Sequence, residues 1–122
     1  MLQGVLIAES LRVGAQLTGI PLQITKLTRV EMTNRGEGQP RYWTLLEFSA
    51  EESAVQRLAD QLASCLASSG GWYTDFHTED ETFVIFANKV FRYPRGQAEG
   101  RSEAQHYGRS VGVPEPQLDW QL

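Results

Sequence analysis

The segment from Trp72 to Tyr93, WYTDFHTEDETFVIFANKVFRY, constrains this chain most, because its hydrophobic period changes partway along. It holds seven of the twelve aromatic residues. From Trp72 to Thr78 the residues alternate, with Trp72, Thr74 and Phe76 on one side and Tyr73, Asp75 and His77 on the other. From Phe83 to Phe86 the run is unbroken. Alternation at period two predicts a half-buried strand, and a short continuous apolar run predicts a strand covered on both faces. The polar Thr78–Glu81 stretch between them makes the pair a hairpin.

Around this hairpin the chain reads as further strands and two helices. Leu22–Met32 predicts a strand with a bulge or exposed rim near Lys26 and Leu27. The turn-rich loop TNRGEGQP follows, then a second strand over Arg41–Phe48. Ser49-Ala50-Glu51-Glu52 has the capping-box pattern, so Ser49 is expected to open a helix. Val55, Leu58, Ala59, Leu62, Cys65 and Leu66 recur along one stripe of that helix, and Gly70-Gly71 follow it. Ala87–Lys89 predicts a turn into a short strand over Val90–Tyr93. Gln97–Val111 predicts a weaker helix, since Gly100 and Gly108 each cost about 1 kcal/mol relative to alanine. Residues 1–20 fit strand and helix equally. Residues 112–122, with Pro114 and Pro116, read as an extended tail.

The resulting order, β-β-α-β-β-β-α, is that of an α+β protein. The expectation is a single domain over residues 1–122, with about five antiparallel strands and two helices packed on one face. At 122 residues the chain is long enough for one core without covalent staples. The single cysteine, Cys65, allows no internal disulfide and no cysteine-based zinc site, and on the buried helical stripe it reads as a core thiol. No stretch has the length of a membrane span, and the N-terminus lacks the positive charge and cleavage pattern of a secretory signal. These features point to a cytoplasmic protein that needs no membrane.

Three groups of residues are candidates for function. On the outward face of the Trp72 strand, Tyr73, Asp75 and His77 project together at about 7 Å spacing. A carboxylate beside an imidazole is a general acid/base pair or the start of a metal site, with Glu79, Asp80 or His106 as further donors. Its ordinary alternative is the polar solvent face of a hairpin. No metal-ligand spacing such as HExxH and no nucleophile elbow such as GxSxG occurs, so no metal and no cofactor is expected.

The second group spans Lys89–Arg109, where Phe91, Arg92, Tyr93, Arg95 and Arg101 interleave rings with guanidinium groups, a mixture suited to phosphates and bases. A net charge of −4 argues against a general nucleic-acid partner, leaving Arg92, Arg95 and Arg101 as anion clamps for a small ligand. The third is the tail, in which Leu118, Trp120 and Leu122 alternate with polar residues. It would either add to a sheet edge of another subunit or partner, anchored by Trp120, or fold back on its own sheet.

Together these signals describe a small non-catalytic protein acting through protein–protein contact or self-association, as a homo-oligomer or with a protein partner. The alternative is a small-ligand-binding protein or small enzyme, with a pocket between sheet and helices using Asp75 and His77. Nucleic-acid binding along 89–109 comes third.

Overall fold

The run Phe83–Phe86 is buried end to end, each residue at most 1% exposed. In a computed structural model, which describes residues 1–33 and 35–120, this run belongs to the fifth of six strands: β1 (Leu2–Ile7), β2 (Gln23–Glu31), β3 (Tyr42–Ala50), β4 (Thr74–His77), β5 (Glu81–Phe86) and β6 (Lys89–Pro94). Two helices, α1 (Val55–Cys65) and α2 (Ala98–Ser110), complete the α+β architecture. The strands form one sheet in the order β2-β3-β1-β4-β5-β6, and all neighbours are antiparallel. The strand beyond the expected five is β1, from the ambiguous N-terminal segment, and it lies in the middle of the sheet.

The two helices lie on opposite faces, not on one face as expected. Successive residues of a strand point to opposite sides. Phe83 and Ile85 join Phe76, Leu2, Leu6 and Phe48 beneath the apolar stripe of α1, formed by Leu58, Ala59 and Leu62. Val84 and Phe86 join Tyr93 beneath Ala104 of α2. An unbroken apolar strand requires cover on both sides, and one helix goes to each. Full burial of each phenylalanine contributes about 1.5–3 kcal/mol, and Phe76 and Phe83 stack with ring centres 4.7 Å apart.

Two further expectations are corrected. Ser49 does not cap a helix. It lies in β3, paired with Gln3 and Gln23, and α1 begins six residues later after a 3-10 turn at Glu52–Ala54. Its N-cap position, Ala54, has no side-chain cap bond. Strand pairing thus overrides the local capping pattern, and Glu52 accepts from the N-terminal ammonium instead. The tail is not extended throughout: Glu115–Gln117 forms a 3-10 turn, and Leu118 and Trp120 pack into the core beside α2. The bulge expected near Lys26 falls at Thr25, between Ile24 and Lys26.

The glycines of α2 are spacers. A Cβ on Gly108 would lie 2.8 Å from Leu118 Cδ2. On Gly100 it would lie 2.5 Å from both Cβ and Cγ of Tyr93. In an open helix Gly100→Ala stabilises by about 1 kcal/mol; here it is expected to destabilise by about 1–3 kcal/mol through overpacking. Urea denaturation of the variant checks this, and stability equal to wild type or better would mean α2 is not seated against Tyr93.

Candidate functional site

β4 presents Phe76 and Thr74 to the α1 side and Asp75 and His77 to the α2 side. Pairing fixes their neighbours: Asp75 sits between Val5 of β1 and Val84 of β5, and His77 between Gln3 and Thr82. On this face α2 and the tail cover β5 and β6, but the layer ends before β1 and β3, leaving Val5 38% exposed. The step from covered to open sheet is a groove made of two adjoining cavities.

The first cavity, about 320 Å³, has Asp75, His77, Glu47, Arg95 and Asp119 in its wall with the Trp120 ring. The second, about 240 Å³, is walled by Trp43, Trp72, Leu45, Ile7 and Met32. Val5, Asp75 and Asp119 border both. One cavity is therefore rich in charge, the other is largely apolar, and the same two carboxylates stand at their junction.

The tail is held so that Asp119 faces this junction. Arg101 of α2 donates to the Trp120 carbonyl from Nε at 3.1 Å and Nη2 at 2.7 Å, and Gln105 Nε2 donates to the Leu118 carbonyl at 3.0 Å. Trp120 Nε1 donates to the Tyr93 hydroxyl at 2.8 Å, and the Tyr73 hydroxyl donates to the Gln117 carbonyl. With the residues on both sides anchored, Asp119 remains exposed at the groove rim.

Electrostatics single out Asp75. Most of its surroundings are protein, with only a small face open to the cavities, and no donor among the described residues reaches its carboxylate. Burial, reinforced by repulsion from Asp119, pushes its pKa up to about 6. Burial, then the Arg95 charge, holds the His77 imidazole below its ordinary value. Burial, then the Asp75 and Asp119 charges, raises the Tyr73 hydroxyl, so it stays a neutral donor. A carboxyl raised and an imidazole lowered on one wall can pass a proton at near-neutral pH.

The structure thus brings together Asp75, His77 and Arg95, with Tyr73 beside them in the second cavity. Arg92 lies on the other face, paired with Glu81 at 2.6 and 2.7 Å and resting over the Phe83 ring. Arg101 is the clamp on the tail. Leu118 and Trp120 are each 5% exposed and belong to this chain's own core, while Leu122 lies outside the described residues. Glu79, Asp80 and His106 are exposed and border neither cavity. Along 89–109, Phe91 packs against Phe86 and Tyr107, and Arg109 pairs with Glu115 at 2.8 Å. Sequence reasoning missed Asp119, Glu47 and Val5. For Asp119 a signal existed: it alternates with Leu118 and Trp120 and so points away from the core they enter.

Among the described residues no group of three His, Cys, Asp or Glu side chains is arranged to hold a metal ion, and no helix is long and apolar enough to cross a membrane. Cys65, the last residue of α1, is buried, with its thiol directed at the Gln16 carbonyl at 3.4 Å. No protein-family model matches this chain, and comparisons with curated proteins and with solved structures return no match.

A raised carboxyl pKa means that the folded state binds the proton more tightly than the unfolded chain. The stabilising contribution of Asp75 is therefore complete below pH 3.8 and is lost as pH rises through about 6. His77 acts oppositely, since its lowered pKa removes stability as pH falls below 6.5. Asp75→Asn is expected to be more stable than wild type at about pH 7.5 by up to about 3 kcal/mol, the most that this shift allows. It should also flatten the acid-side profile in a His77→Gln background. Chemical denaturation across this range is the check, and identical profiles with and without Asp75 would show that its carboxyl is solvated.

Proposed function

We propose that this protein is a small-ligand-binding protein whose site is the groove centred on Asp75. The observation that carries this reading is the Asp75 carboxylate itself: largely enclosed by protein, reached by no donor among the described residues, and shared by two cavities. A buried charge without a partner is costly, and such groups recur where a bound molecule supplies the missing partner. The mixture of an apolar wall with a few converging polar groups is that of small-molecule sites generally. Binding suits the site better than catalysis, because Asp75 and His77 can move a proton but no activated nucleophile stands beside them. The single reduced cysteine suits a cytoplasmic setting.

The test is native mass spectrometry of the protein purified gently from its own cells, alongside Val5→Trp. Val5 is half-exposed at the junction of the cavities, so tryptophan there fills the groove from the open side. A fixed mass excess on wild type that is lost in Val5→Trp is expected. A bare chain in both, with no response to a small-molecule extract of the same cells, overturns the reading.

Self-association is the second reading, favoured by β2. Among the described residues this nine-residue edge strand pairs only with β3, and it leaves Ile24 49% and Leu27 63% exposed. The bulge at Thr25 and the charge of Lys26 weaken it, because both are devices that protect an edge from pairing. If a dimer forms through β2, Leu27→Lys is expected to shift sedimentation to the monomer. A dimer that survives the substitution would place the contact elsewhere.

A further inference from the structure

The geometry points to an organic cation as the ligand: a primary ammonium seated between Asp75 and Asp119, carried on an apolar or aromatic body that fills the cavity walled by Trp43, Trp72 and Leu45. The inference rests on the small-ligand reading above and adds the ligand's charge and shape.

The sign of charge comes from what is free at the junction and what is not. Asp75 and Asp119 border both cavities, and Glu47 adds a third carboxylate to the first, half-occupied by Lys26 at 3.9 Å. Of the nearby cations, Arg101 already donates to the Trp120 carbonyl through two nitrogens. Arg95 borders the first cavity only, where it lies 3.5 Å from the Thr78 carbonyl. His77 is held toward its neutral form. An anion in the groove would meet Asp75 and Asp119, neither of which has a salt bridge among the described residues, whereas an ammonium supplies the donors Asp75 lacks.

The body comes from the second cavity. The Trp43 and Trp72 rings meet at 5.1 Å with planes 60° apart, forming an aromatic wall next to Leu45, Ile7 and Met32. A fully hydrated ion gains nothing from that wall, while an amine on an apolar stem buries its stem there and keeps its charge at the carboxylates. The raised proton affinity of Asp75 agrees with this, since an ammonium would take the place of the proton. Binding should therefore weaken as pH falls through about 6. The charged and titratable groups that share the cavity with Asp75 are Glu47 from β3, His77 from β4, Arg95 after β6 and Asp119 from the tail; the Tyr73 and Tyr93 hydroxyls feel its charge, and that of Arg101 from α2.

Three probes of one shape and different charge test this on the full chain: 2-phenylethylamine, 2-phenylethanol and phenylacetate, titrated at about pH 7.5 with amide and indole NMR shifts as the readout. The amine is expected to move the signals of Val5, Asp75, Asp119 and the Trp43 indole. The alcohol should bind at least about tenfold more weakly and phenylacetate more weakly still. Asp75→Asn should bring the amine down to the affinity of the alcohol while leaving the alcohol unchanged. Asp119→Asn, at an exposed position, provides a second variant that does not depend on the buried site for folding.

If the alcohol or phenylacetate moves the same signals as tightly as the amine, the cation inference is overturned and the small-ligand reading stands. A retained ligand that proves neutral or anionic has the same consequence. If no probe moves these signals and no retained mass is found, both fall.

Discussion

The double burial of β5 is the constraint on which the rest of the structure depends. Phe83 and Ile85 require an apolar layer on one side of the sheet, and Val84 and Phe86 require another on the opposite side. α1 meets the first demand with a full leucine and alanine stripe. α2 meets the second only in part, because Ala104 and Gly108 are its only buried residues. The shortfall is made up by Val113, Leu118 and Trp120, so the tail joins the core by necessity and brings Asp119 to the sheet surface. The groove is what remains where this second layer ends.

Much of the second half of the chain was legible from local pattern. Alternation placed Tyr73, Asp75 and His77 on one face, and the Phe83–Phe86 run announced a strand covered on both sides. β1 was not legible. It is six residues long, its apolar residues divide between the two faces, and Gly4 at its centre has no side chain to declare a face. That glycine is set by a distant partner, since a Cβ there would lie 2.5 Å from Phe76 Cβ. Ser49 misled for a related reason: a four-residue cap motif carries no information about whether the preceding strand has ended. The composition of the site depends on α2 docking against Tyr93 and on Arg101 reaching Trp120, contacts between segments that no spacing rule connects. Arg92 and Arg95 could not be told apart from their sequence surroundings, yet one rests over Phe83 and the other borders the groove.

Asp75 also shows how a fold tolerates a carboxylate that no donor among the described residues reaches. A carboxylate can be satisfied within this chain, as partly exposed Glu9 shows in the 3-10 turn after β1 by accepting from the Thr44 amide at 2.6 Å and its hydroxyl at 2.9 Å. The nearest titratable neighbour on the tail is instead a second carboxylate, which makes ionisation harder. The arrangement opposes stability at neutral pH; on the proposed reading it favours the arrival of positive charge, an exchange of stability for function.

The pairing of β1 with β4 has a mechanical meaning. Among the described residues only three pairs join them, Gln3 with His77, Gly4 with Phe76 and Val5 with Asp75, and this ladder is the sole sheet pairing there between the β2-β3-β1 ribbon and the β4-β5-β6 ribbon. It is therefore the seam of the sheet, closed between segments about seventy residues apart in the chain, where loop-closure entropy is greatest and cohesion least. Val5 and Asp75 lie on either side of it. A molecule in the groove would rivet the two ribbons together, so that occupancy and the rigidity of the whole sheet would rise and fall as one quantity.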